Sequence, residues 1–231
     1  MKKAFDGRAM KRYALLVALA LMASCSGKST PEPPEPQQSV PLTVGNWWIY
    51  RDVADTTKYD TTTVLYDTTY NGYPGFAVLG YLMGNYDTTV VYYADSNLNM
   101  AYNFAMDPIY MTVEGVLMPE FLATGQHWKV GEDSVSGIDF PPFFDTTDVV
   151  ILSIWGQVED SVSLSVPAGD FDPSFVVHYE DSIFKNSRDT LITTITTYSW
   201  VSPGTGITAR DENGDAQAVP TAELWDYHLP E

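Results

Sequence analysis

From residue 42 onward the chain reads as runs of β-branched and aromatic residues in which apolar and polar positions alternate with a period of two, the pattern of half-buried strands. Leu191-Ile192-Thr193-Thr194-Ile195-Thr196-Thr197-Tyr198-Ser199-Trp200 carries no Gly or Pro. A helix would accept it poorly, because β-branched side chains lose χ1 freedom against the preceding turn. Val162-Ser163-Leu164-Ser165-Val166 alternates strictly, and Phe175–Glu180 alternates in its bulky positions. Val149–Trp155 is apolar on both faces, which predicts a central strand. Asn71-Gly72, Asp95-Ser96-Asn97 and Asn213-Gly214 supply turn chemistry between such runs, since their residue types tolerate positive φ. Asp-Thr-Thr recurs at Asp55, Asp60, Asp67, Asp87 and Asp145 and is expected to punctuate turns. One short helix is expected near residues 119–123. The predicted fold is all-β: a twisted antiparallel sheet with little helix, curled into an open half-barrel or a sandwich.

Two tetrads echo each other across 80 residues. Gly45-Asn46-Trp47-Trp48 and Gly125-Gln126-His127-Trp128 each place Gly, a polar residue and a Trp at a strand entry, which predicts two related sheet halves.

The N-terminus has a different pattern. Lys2, Lys3, Arg8, Lys11 and Arg12 precede an apolar stretch, Tyr13–Met22, of about ten residues, long enough for a signal-peptide core but not for a membrane span. Met22-Ala23-Ser24-Cys25 resembles a lipobox, with small residues before the cut and Met in place of the usual Leu. That resemblance implies that residues 1–24 are removed and that the Cys25 thiol carries the lipid, palmitate among its acyl chains. Ser26, where an Asp would signal inner-membrane retention, implies the outer membrane. Residues 25–41 then form the lipidated cysteine and a Pro-rich spacer, and residues 42–231 a single all-β domain. Cys25 is the single cysteine, so no intrachain disulfide framework exists.

Composition narrows the partners. Five of the 12 Lys/Arg and one of the 30 Asp/Glu lie in residues 1–24, which leaves 7 basic against 29 acidic side chains and a formal net charge of −22. Such a surface repels nucleic acid and anionic headgroups. Gly27-Lys28-Ser29 has the ending of a phosphate-binding loop, but Met22 stands where that loop requires Gly, and no strand precedes it.

Catalytic and metal chemistry find no motif. His127, His178 and His228 lack partners at metal-ligand spacing, and His178 is expected to face solvent. Asp95-Ser96-Asn97-Leu98-Asn99 lacks the Gly and distal Glu of a calcium loop, and Asp211–Asp215 reads as a hairpin tip. Carboxylate pairs such as Glu159-Asp160 and Glu180-Asp181 are expected by chance in so acidic a chain. No catalytic, cofactor-binding or metal residue is assigned. The 6 Trp, 15 Tyr and 10 Phe are the remaining signal, as core or as exposed stacking faces. Of an adjacent pair such as Trp47-Trp48, one ring must leave the core face.

Residues 41–50, 166–171 and 198–207 also resemble segments of uncharacterised bacterial cell-envelope lipoproteins with β-rich bodies. The resemblance implies an extracytoplasmic lipoprotein and brings no catalytic residues. The expectation is a non-enzymatic, lipid-anchored binding or structural protein of the envelope. Its partners are the membrane, through the acyl anchor, and an apolar ligand, a glycan or another envelope protein. Three alternatives make distinct demands. A carrier resembling half-barrel lipoprotein chaperones needs an apolar cavity under a lid, for which residues 104–122 are the candidate. A glycan-binding module needs exposed aromatics. An acidic hydrolase needs two converging carboxylates, one with a raised pKa.

Overall fold

The computed structural model describes residues 38–230 apart from 83–84, 107–108, 140, 187, 189 and 212–217. Twelve strands make up the body: β1 (Trp47–Asp52), β2 (Tyr59–Tyr70), β3 (Tyr73–Leu82), β4 (Asn85–Ala94), β5 (Asn97–Met106), β6 (Ile109–Pro119), β7 (His127–Ser136), β8 (Val149–Val166), β9 (Gly169–Lys185), β10 (Leu191–Ser202), β11 (Gly206–Asp211) and β12 (Ala222–His228). All belong to one sheet whose order, β6-β5-β4-β3-β2-β1-β12-β11-β10-β9-β8-β7, is an antiparallel up-and-down meander. The first and last strands pair at the centre of that order, from Trp47↔His228 to Asp52↔Ala222, which leaves β6 and β7 as the two edges, and the contact between those edges curls the sheet into a nearly closed barrel. The all-β antiparallel expectation holds, and closure goes well past a half-barrel.

The one break lies midway, between β6 and β7. There the strands cross in contact rather than exchange a ladder. A Cβ on Gly115 would fall 1.9 Å from Val130 O, and one on Gly131 would fall 2.3 Å from Val113 Cγ1. Side chains serve the edge groups instead: Trp128 Nε1 donates to Leu117 O at 3.1 Å, and Asp133 Oδ2 accepts from Thr112 N at 3.1 Å. Bonds of this kind satisfy strand edges that would otherwise stand open.

The tetrad echo has a structural counterpart. Gly45 N donates to Val64 O (3.0 Å) and Val64 N to Asn46 O (2.9 Å); Gly125 N donates to Val158 O and Val158 N to Gln126 O, both at 2.8 Å. Gly45 and Gly125 have φ of +95° and +82°, a conformation that L side chains rarely adopt. Each tetrad thus opens a run of six strands with the same bonds to the second strand of its run. In each run the hairpin of strands two and three reaches the sixth: Tyr70 of β2 hydrogen-bonds Glu114 of β6, and Ala168, at the β8–β9 turn, donates its N–H to Leu224 O of β12 at 3.1 Å.

Inward positions follow the alternation. Val150, Leu152, Ile154 and Val158 of β8, Val177 and Ile183 of β9 and Leu224 of β12 are all 0 % exposed. The expected central strand is β8, paired on both sides although next to the break. Asn71-Gly72 and Asp95-Ser96 make two-residue hairpin turns with positive φ, as expected. Asn213-Gly214 lies outside the described residues.

Three local expectations fail. Residues 119–123 form no helix; they are the end of β6 and an irregular link. The candidate lid, residues 104–122, belongs largely to β5 and β6. Of the five Asp-Thr-Thr repeats, Asp55 and Asp145 build Asx turns, accepting from the N–H and hydroxyl of Thr57 and of Thr147. Asp60, Asp67 and Asp87 instead lie within strands, where pairing with neighbours outweighs the local turn option.

Candidate functional site

Consecutive hairpins of a meander lie at alternate ends of the barrel. The end holding the β4–β5 and β10–β11 turns also receives the chain, and it is bolted shut. Gln38 O accepts from Gly204 N (2.8 Å), Ser39 N donates to Glu120 O (2.8 Å), and Val40 O accepts from the Tyr93 hydroxyl (2.5 Å). Ser39 is 1 % exposed and donates its hydroxyl to Pro119 O at 3.0 Å. The last residues of the expected spacer therefore belong to the body as a strap from the β10–β11 turn to the end of β6. The rest of the spacer and Cys25 lie outside the described residues.

Under the strap, Val40, Leu42, Trp48, Val91, Leu98 and Ile207 surround an apolar void of about 40 Å³. Trp48 is fixed there by its Nε1 bond to Thr205 O (2.7 Å). Its neighbour Trp47 points the other way and stacks on His228 with centroids 5.9 Å apart, as the alternation requires.

The opposite end holds a second, wider space. The β1–β2 turn and the segment entering β12 enclose a mouth of about 480 Å³, walled by Asp52, Lys58, Tyr59, Asp60 and Thr221 above Tyr50. Tyr50 lines both spaces, so its ring lies in the floor between mouth and void. Three contacts hold that floor. The Tyr50 hydroxyl donates to Ile207 O at 2.9 Å, the Arg210 guanidinium lies 4.2 Å over the Tyr50 ring, and Arg210 forms an ion pair with Asp60. Burial pushes the Tyr50 hydroxyl pKa well above its usual value; Arg210 opposes the shift and Asp60 adds to it. At physiological pH the hydroxyl is therefore a fixed donor.

At the rim Asp52 Oδ1 accepts from Ala54 N (2.7 Å) and Asp55 N (2.8 Å), which shapes the turn. Lys58 pairs with Asp55 at 3.3 Å. Tyr59, 50 % exposed, meets Trp225, 41 % exposed, edge-on with centroids 5.8 Å apart. Arg51 covers the Trp225 ring at 4.4 Å. Asp60 Oδ1 is closed off from solvent and has no hydrogen-bond partner.

The residues singled out in the sequence lie elsewhere. His127 stacks on Trp155 with centroids 4.9 Å apart. His178 does lie on the outer face but is mostly covered: it stacks on Tyr198 at 5.0 Å, and its Nδ1 is 3.1 Å from Glu159 Oε1. Asp95-Ser96-Asn97 is a hairpin turn, and Asn213–Asp215 lie outside the described residues. Among the described residues no three His, Cys, Asp or Glu side chains are grouped to hold a metal. Asp181 is the one candidate carboxylate with a raised pKa, pushed up to about 7 by burial, but its ladder neighbours are Ile154 and Ile195. No sequence spacing links residues 50–60 to 220–222, and so the mouth was not legible as a motif.

No protein-family model matches the chain, and no curated protein matches its sequence. Two solved structures are similar to it. One, from Parabacteroides distasonis and described as a lipoprotein, is 13 % identical with a TM-score of 0.44; the match covers 84 % of this chain and all of the other. The second, from Bacteroides fragilis and described as an exported protein with a YmcC-like fold, is 15 % identical with a TM-score of 0.39, over the same shares.

Proposed function

We propose that this is a lipid-anchored protein of the bacterial cell envelope, held through Cys25 in the outer membrane, and that it works by binding rather than by catalysis. Its ligand sits in the mouth opposite the strap. The observation that carries this reading is the contrast in size between the two spaces. The void is about 40 Å³, whereas the mouth, at about 480 Å³, falls within the roughly 300–1,000 Å³ of small-ligand sites.

The same contrast weighs against an apolar-ligand carrier, which needs its space inside, where, among the described residues, the strap and Trp48 already sit. A hydrolase is disfavoured by the use of the mouth carboxylates. Asp52 is engaged with backbone N–H groups and Asp60 with Arg210, while Asp181 has no second carboxylate beside it in the ladder.

Native mass spectrometry of the full chain, released from detergent before and after organic extraction, tests the reading. The expected spectrum shows the lipidated polypeptide mass with no further apolar adduct. A retained apolar species that extraction removes would overturn it in favour of a carrier.

A further inference from the structure

We infer that Asp181 and the inner face of β10 form a second site, which takes a small organic cation with an ammonium head and a short alkyl stem. It shares no residue with the mouth and does not rest on the reading given for it.

The wall is the first argument. Ladder partners share a face of the sheet. On β10, Val201 faces the core and is 0 % exposed. Ser199, Thr197, Ile195 and Thr193 follow it on the same face, paired with Val177, Tyr179, Asp181 and Ile183 of β9. Val177, Tyr179 and Ile183 are core residues, yet exposure on the β10 side rises from buried Val201 to exposed Thr193. β11 pairs with β10 only between Tyr198 and Ser202, so it does not flank this stretch. The inner face that is packed elsewhere is thus open here, and three of these four residues carry hydroxyls.

The carboxylate is the second. Asp181 lies on that face between Ile154 of β8 and Ile195, with Tyr179 and Ile183 on either side along its own strand. Its Oδ1 is closed off from solvent and Oδ2 is not, and neither oxygen accepts a hydrogen bond. Burial alone raises its pKa, to about 7, so no cation of the chain bears on it. Native proteins ordinarily give a buried carboxylate a partner.

The body has no spare cation among its described residues. Residues 38–230 hold six Lys and Arg. Lys58 pairs with Asp55, Lys129 and Arg188 with Glu132, Lys185 with Asp148, and Arg210 with Asp60. Arg51 lies over Trp225. The counter-charge therefore comes from a ligand. A divalent metal fits poorly, because no three His, Cys, Asp or Glu side chains are grouped among the described residues. An ammonium head has three donors and needs one carboxylate and a few neutral oxygens, which Asp181 Oδ2 and the hydroxyls of Thr197 and Thr193 supply. Ile195, partly exposed in the same row, offers apolar surface to the stem.

The test is isothermal titration of the full lipidated chain in non-ionic detergent with butylammonium chloride. 1-Butanol and potassium chloride serve as the neutral and ionic controls. At pH 8, where Asp181 is mostly ionised, butylammonium is expected to saturate at millimolar concentration and neither control to do so. At pH 5.5 Asp181 is mostly protonated while the amine keeps its charge, so affinity is expected to fall about thirtyfold. Asp181→Asn is expected to weaken binding about tenfold or more at pH 8, and Thr197→Val to weaken it about threefold. The site is overturned if butylammonium does not saturate, if it binds Asp181→Asn as tightly as the unmodified chain, or if either control reproduces its heat. Equal affinity at pH 5.5 and pH 8 in the unmodified chain would overturn it without recourse to a variant. Unchanged affinity in Thr197→Val would overturn the part given to β10.

Discussion

The Arg210 guanidinium carbon stands 4.2 Å over the centroid of the Tyr50 ring. Arg210 is 6 % exposed at its side chain, and its ion-pair partner Asp60 is 34 % exposed. A buried cation held between a ring and a carboxylate stabilises the floor only while both remain. Arg210→Ala should cost about 3 kcal/mol, because it leaves Asp60 in place without its counter-charge. Tyr50→Phe keeps the ring and loses the bond to Ile207 O, for about 1 kcal/mol. Urea midpoints at pH 7 give both values, and equal losses would disprove the division of labour.

Asp181 should impose an unusual pH dependence. Its pKa in the fold is raised to about 7 from an ordinary 3.8. Below the ordinary value the group is protonated in both folded and unfolded chains and costs nothing. Between about pH 4 and 7 the unfolded chain ionises while the fold keeps the proton, so stability falls as pH rises, and it levels off above 7. Asp181→Asn removes that slope and should gain about 2–4 kcal/mol at pH 8 and little at pH 4. Thermal melts of both proteins from pH 4 to 8 check this; parallel curves would disprove it.

The crossing of β6 and β7 leaves no room for a methyl group. Gly115→Ala should cost about 3 kcal/mol or more, since the added Cβ meets a backbone oxygen, which cannot rotate away. Gly125→Ala, with open space around it but φ at +82°, should cost only about 1–2 kcal/mol. Denaturant titration of the two variants orders them, and the reverse order would refute the tight crossing.

Leu42 packs beneath the strap against the core. Leu42→Ala should lower stability by about 2 kcal/mol and enlarge the void. Uptake of a fluorescent apolar probe such as N-phenylnaphthylamine should then rise above that of the unmodified chain.

Much of this fold is written in local pattern. The Leu191–Trp200 run is β10, and the Asn71-Gly72 and Asp95-Ser96 turns lie where their φ tolerance places them. Parity was harder to follow, because bulges reset it. β8 runs unbroken from Val149 to Val166, but the register shift between Val158 and Asp160 puts residues of one alternation phase on different faces. The Asp-Thr-Thr repeats misled for a related reason, since Asp55 and Asp60 carry one local signal and only pairing with β1 separates them. The mouth was not legible at all. Asp60 and Arg210 meet across 150 positions, a distance at which only the closure of β12 on β1 brings them together.

The strap sets how this molecule answers traction. Tension applied through the residues ahead of Gln38 arrives first at the bonds of Gln38, Ser39 and Val40, which follow one another along the chain and break in succession. β1 is laced on both sides, to β2 and to β12, and several of its bonds would have to shear together. A tug therefore peels the bolt before it strains the staves. The strap is thus the part of the fold that yields first, and resealing it requires that Gln38, Ser39 and Val40 find the end of the barrel again.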